Sequence, residues 1–193
     1  MSLILASASP RRSKLMADAG YAFDIDPADV DETPLADESA RRYVERLARN
    51  KAEVIAHRHP EATVLGADTI VTVDGVLLGK PADDTEAAAM LFRLSGRSHE
   101  VMTGVAVAHH GVTRSDVAVS VVTFRTLDRD EIEAYVATGE PRDKAGAYAI
   151  QGIGGELVES VDGAWDNVVG LPMSLVACLL APACSAPPEL GPA

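Results

Sequence analysis

Asp68 is the residue that asks most of its surroundings. It falls inside the run Thr63-Val-Leu-Gly-Ala-Asp-Thr-Ile-Val-Thr-Val73. A carboxylate there is expensive to bury unless it is paired or binds a metal. A turn aspartate is the structural alternative, but Thr69-Ile70-Val71 continues as strand. Glu32, beside Asp31 in an acidic stretch, offers a second metal carboxylate; alone, it reads equally as an exposed loop acid. Lys51 follows the spacing of Val44, Leu47, Ala48 and Ile55, so it lies on the apolar stripe of a helix. Such a lysine either snorkels at the stripe's edge or points a cation into a cleft.

Three further segments carry donors. Ser7-Ala-Ser-Pro-Arg-Arg-Ser-Lys14 reads as a strand-to-helix junction. Free N–H groups at a helix start, two serine hydroxyls and Arg11 and Arg12 suit a phosphate. A well-capped helix with solvated basic residues explains the same string. Gly79-Lys80-Pro81 fails as a Walker motif: Gly75 is one residue too close and Pro81 replaces Ser/Thr. Lys80 remains either a phosphate-seeking lysine or a solvated turn residue. Gly146 to Gly155 is glycine-rich without the dinucleotide pattern. Its amide, Gln151, suits a base edge or is an ordinary loop residue. His57, His59, His109 and His110 read as solvated, neither cysteine is placed as a nucleophile, and no G-x-S-x-G occurs.

The elements that must position these groups alternate. The pattern predicts a strand at 3–6, a helix from Arg11 to Ala19 capped by Ser9, and a strand at 22–25. An acidic loop at 27–37 precedes a helix over 38–56. A strand-rich block spans 62–78 with a hairpin at Asp74-Gly75. A helix capped by Asp83 follows, then long strands at 99–109 and 113–125 meeting at Gly111. Asp128 caps the next helix, and a strand at 156–161 precedes a last helix at 171–180. Two adjacent long strands break a pure βαβ pattern, so the expectation is an α/β fold on a mixed sheet.

Composition bounds the partners. The chain of 193 residues has 17 Lys+Arg against 29 Asp+Glu, a net charge of −12. That balance argues against gripping nucleic acid or an anionic membrane by charge. The first 51 residues hold eight basic and nine acidic groups, and the deficit lies in the remainder. An anion is therefore best received near the N-terminal quarter. Hydrophobic residues at 47% suffice for a core. No signal-peptide pattern or membrane-length apolar run occurs. Cys178 and Cys184 form no metal or redox motif, which suggests reduced thiols and a cytoplasmic protein. A single domain over 1–181 is expected. Residues 182–193, with four prolines, are expected to be a disordered tail.

Taken together the chain resembles the Maf-type nucleotide pyrophosphatases. The matching stretches are LILASASPRRSKL, VDE at 30–32, YVERLARNKA, LGADTIV, GKP, LSGRSHEVMTGVAV, TFRTL, YVATGEP, DKAGAYAIQG and NVVGLPMSL. They run in order from residue 3 to about 175. That family is similar in fold to the inosine-triphosphate pyrophosphatases, an elongated mixed sheet with flanking helices and two lobes around a cleft. It is commonly dimeric.

The resemblance implies hydrolysis of a nucleoside triphosphate to monophosphate and pyrophosphate with Mg²⁺ or Mn²⁺, in nucleotide-pool house-cleaning. It places Asp68 at the catalytic position, with Glu32 and Asp68 as metal ligands. It places Ser7, Arg12, Lys51 and Lys80 at phosphate-contacting positions, and Arg11, Thr69 and Gln151 at the specificity positions. That triple looks like the subgroup acting on dTTP, UTP and modified pyrimidine nucleotides. Ala164-Trp165-Asp166 departs from the small-aromatic pair often found before NVVGLP. Two other readings stay open: a purine, inosine-type pyrophosphatase, and a non-enzymatic regulator of septum formation.

Overall fold

The structure, a computed structural model, describes residues 2–181. The expected tail, 182–193, lies outside the described residues. The chain opens with β1 (Leu3–Leu5) and α1 (Pro10–Asp18). Ser9 caps α1 by accepting the Arg12 N–H at 3.4 Å, and Pro10 takes the first helical position. Then come β2 (Asp24–Ile25) and α2 (Ala40–Arg58). Helix α2 starts two residues later than expected because Ser39 supplies its cap.

A hairpin of β3 (Thr63–Val73) and β4 (Val76–Leu78) turns at Asp74-Gly75, where both residues have positive φ. Asp-Gly suits that geometry. The same device, His110-Gly111, joins β5 (Ser98–His109) to β6 (Val112–Phe124). Between the hairpins lies α3 (Asp84–Leu94), capped by Asp83. The expected capping box of Asp128 and Glu131 opens α4 (Arg129–Ala137). Three short 3-10 turns follow, at Glu140–Asp143, Ala145–Ala147 and Ile153–Leu157. The last of these delays β7 (Val158–Asp162) by two residues relative to the sequence expectation. A short helix the sequence pattern did not suggest, α5 (Trp165–Val169), precedes α6 (Met173–Leu180).

Seven strands form one sheet in the order β2-β1-β3-β5-β6-β7, with β4 beside β3. Strands β2 and β3 lie parallel to β1, and every other pairing is antiparallel. The sheet is therefore mixed, as expected. Side chains alternate along β3. Val64 and Ile70 pack toward α2. Leu65 and Ala67 join a core with Met16, Leu171 and Val176. Val71 and Val73 join a second core with α3, α4 and Tyr148. Strand β3 thus passes from one core to another, and Asp68 and Thr69 sit at the joint. They are the partly exposed residues inside an otherwise buried stretch from Val64 to Val73.

Cys178 sits on α6. Cys184 lies outside the described residues. No helix among the described residues is long and apolar enough to cross a membrane.

Candidate active site

The cleft begins as a gap along one edge of β3. Strand β1 pairs with β3 as far as Leu65, and β4 begins pairing at Val71. Between them the edge is open, and a backbone carbonyl there needs a partner. Arg12 supplies it: Nη1 donates to the Ala67 carbonyl at 2.9 Å and to Ser7 Oγ at 3.1 Å. Its Nη2 donates to Thr69 Oγ1 at 3.0 Å, and its Nε to the Gly170 carbonyl at 2.8 Å. Four of the five guanidinium N–H groups are thereby used within the protein. Burial lowers the Arg12 pKa, with Asp68 opposing that fall. In this geometry Arg12 braces the gap and leaves one N–H for an anion.

On the α2 face, Lys51 Nζ lies 2.7 Å from Asp68 Oδ1 and 2.7 Å from Glu32 Oε1. Lys51 is only 9% exposed. Helix α2 comes this close because glycines leave room for it. A Cβ at Gly66 would strike the Ala48 carbonyl, and one at Gly104 the Val44 carbonyl. Gly104 is the register partner of Asp68. Leu47 and Ile55, both fully buried, each hold α2 down with about 1.5–3 kcal/mol of burial.

Glu32 reaches the site from an irregular segment. Tyr43 OH donates to the Glu32 carbonyl at 2.7 Å, and Arg46 holds Glu38 and the Thr33 carbonyl. Partial burial pushes the Glu32 pKa up. The Lys51 hydrogen bond and the charges of Lys51, Lys80 and Arg12 outweigh it, leaving the pKa below its ordinary value. Glu32 is therefore an anion in a field of three cations.

The cleft measures about 630 Å³ and is lined by all nine residues singled out from the sequence: Ser7, Arg11, Arg12, Glu32, Lys51, Asp68, Thr69, Lys80 and Gln151. They come from six separate segments. Ser7 Oγ also accepts the Ser9 N–H at 3.3 Å. Thr69 Oγ1 sits 3.0 Å from Thr103 Oγ1, which donates to the Asn167 carbonyl at 3.0 Å.

Sequence reasoning missed several groups. Lys144 and Asp143 line the cleft and are ion-paired to each other. Tyr148 walls it, and its OH is 2.8 Å from Nε2 of the buried His99. His99 and Tyr148 both pack edge-on against Phe124. Burial lowers the His99 pKa to about 4, so the ring is neutral. A sequence signal did exist: His99 and Tyr148 fall inside two of the quoted stretches.

Among the described residues, no group of three or more His, Cys, Asp or Glu gathers to hold a metal alone. Two carboxylates do converge, on one ammonium. Mg²⁺ uses one or two carboxylates, with substrate phosphates and waters filling the octahedron. The Asp68–Glu32 pair fits that mode.

Residues 2–183 match the family described as "Maf-like protein". A dTTP/UTP pyrophosphatase of Myxococcus xanthus is 56% identical over 179 residues, covering 92% of this chain and 90% of its own. A dTTP/UTP pyrophosphatase of Methylobacillus flagellatus is 52% identical over 180 residues, covering 92% and 90%. Among solved structures, the nucleoside-triphosphatase, dITP/XTP pyrophosphatase, of Mycobacterium abscessus matches at 15% identity with TM-score 0.45. That alignment covers 72% of this chain and 95% of the other.

Proposed function

This chain belongs to the Maf-like protein family, and on that premise we propose that it hydrolyses nucleoside triphosphates, dTTP and UTP among them, to monophosphate and pyrophosphate. The observation that carries the chemistry is Asp68: a carboxylate at the joint of two cores, opening on a cleft and paired with a buried lysine. The pyrimidine preference is supported by the names of the relatives and by Arg11, Thr69 and Gln151 lining one cleft.

The residues divide the work. The triphosphate enters the cleft among Lys51, Lys80, Ser7 and the remaining N–H of Arg12. Asp68 takes a proton from the attacking water. The water oxygen bonds to the α-phosphorus while the bond to the α–β bridging oxygen breaks. Its electron pair leaves with pyrophosphate, whose charge Lys51 and Lys80 offset. Asp68 and Glu32 are the groups that would hold Mg²⁺ or Mn²⁺, which supplies phosphate charge neutralisation and a more acidic water. Gln151, Thr69 and Arg11 face the nucleoside.

In the same reading the protein is one domain over 1–181, works as a homodimer and cleans the cytoplasmic nucleotide pool. Its charge of −12 disfavours nucleic acid as a partner. The test is a panel of canonical and modified triphosphates with Mg²⁺ or Mn²⁺, scored for pyrophosphate or orthophosphate. Pyrophosphate from dTTP and UTP is expected. Preference for inosine-type triphosphates would favour the purine reading, and a folded protein with no turnover would favour a non-enzymatic role.

A further inference from the structure

Gln151 lines the cleft, is exposed, and has no hydrogen-bond partner among the described residues. Nothing attached to its side chain fixes its position, so its backbone must. That backbone is pinned on both sides. Before Gln151, the Ala149 N–H donates to Tyr135 OH at 3.2 Å. After it, the N–H groups of Ile153 and Gly154 each donate to the Glu140 carboxylate at 3.0 Å, one to each oxygen. Tyr135 OH closes the loop by donating to Glu140 Oε1 at 2.9 Å.

The surrounding residues are cut to fit. A Cβ at Gly152 would strike the Glu140 carboxylate, and one at Gly154 the Tyr135 hydroxyl. Tyr135 is buried at 3% exposure and sits on α4, packed in the second core. Glu140 starts the first 3-10 turn, five residues on. Burial pushes the Tyr135 phenol up, which keeps it a donor. Burial also raises the Glu140 pKa, but the two backbone N–H groups and Tyr135 outweigh it and hold it below the ordinary range. Charge-assisted bonds of this kind are about twice as strong as neutral ones.

We propose that Tyr135 and Glu140 form a clasp that positions Gln151 for base selection, a role distinct from the chemistry at Asp68. The proposal rests on Gln151 facing the nucleobase. Tyr135 and Glu140 are positioning residues, acting through the 149–154 backbone. Their loss changes how well the correct base is held and leaves the phosphate machinery across the cleft in place.

The test uses the full chain with Glu140→Gln, and with Tyr135→Phe as the milder change. Glu140→Gln puts an NH2 against a backbone N–H; Tyr135→Phe deletes one hydroxyl. Two readouts are taken: amide hydrogen exchange across 149–154, and KM and kcat for dTTP against a purine triphosphate. The clasp predicts exchange about tenfold faster at 149, 153 and 154, with β3 amides unchanged. It predicts KM for dTTP up about tenfold, kcat within about twofold, and weaker preference for dTTP. Unchanged exchange overturns the clasp. Faster exchange with unchanged KM and base preference overturns its role in selection. If the wild type turns over no triphosphate, the activity reading has failed, and calorimetric affinity for dTTP replaces KM in deciding the clasp.

Discussion

The two walls of the cleft are held by different forces. On the Asp68 wall, Lys51 binds two carboxylates at 2.7 Å each, and Arg12 spends four N–H groups bridging the open edge of β3. On the wall from Ala145 to Gly154, which follows the Asp143–Lys144 ion pair, neutral rings and backbone amides dominate: His99 on Tyr148, Tyr135 on Ala149, and the carboxylate of Glu140 behind it, spread over three donors. The charged wall is fit to receive a polyanion and cation chemistry. The neutral wall is fit to hold a shape. On the proposed reading, bond-breaking falls to the charged wall, which shares recognition through Arg11 and Thr69, while the neutral wall contributes Gln151 to recognition alone, so perturbations of the two walls should differ in kind.

Asp68→Asn attacks the charged wall most directly. It is expected to cost on the order of 10²–10⁴ in kcat for dTTP, with the far-UV spectrum unchanged. Near-wild-type turnover would remove Asp68 from the chemistry. Lys51→Met leaves Asp68 without its ion partner in a mostly buried site. Urea unfolding should report a loss of about 3–5 kcal/mol together with lost activity.

The neutral wall answers to acid instead. His99 titrates at about 4 when folded and near 6.5 when unfolded. The unfolded chain therefore takes up its proton first as pH falls. Stability from this group is full above about 6.5 and drains away as pH falls to about 4, by at most about 3 kcal/mol. His99→Gln should flatten the stability profile across that window. Equal slopes in both proteins would mean His99 is not held neutral. The smallest effect tests how the charged wall is assembled. Gly66→Ala pushes a methyl into the Ala48 carbonyl, so α2 must shift. A loss of about 1–3 kcal/mol is expected, with kcat falling because Lys51 moves with the helix.

Much of the charged wall was legible in the sequence. A carboxylate in an apolar strand and a lysine on an apolar stripe are local anomalies, visible without any partner. The caps at Ser9, Asp83 and Asp128 were legible for the same reason, since a cap is a short-range pattern. Arg12 was placed in the cleft but not as a brace, because the gap it fills exists only once β1 ends at Leu65 beside a longer β3. On the neutral wall Gln151 was legible, but the bonds that hold it were not. Glu140 bonds to backbone N–H groups 13 and 14 residues away, and backbone donors leave no mark in residue types. His99 pairs with Tyr148, 49 residues on, a contact that only the fold creates. Helix α5 escaped because five residues are too few to display a period.

The account turns on water attacking the α-phosphorus next to Asp68. Hydrolysis of dTTP in ¹⁸O-labelled water with Mg²⁺ or Mn²⁺ added decides this, with mass spectrometry of every product. The account predicts one labelled oxygen in the nucleoside monophosphate and none in pyrophosphate. Label in orthophosphate or pyrophosphate, with an unlabelled nucleotide, would contradict it.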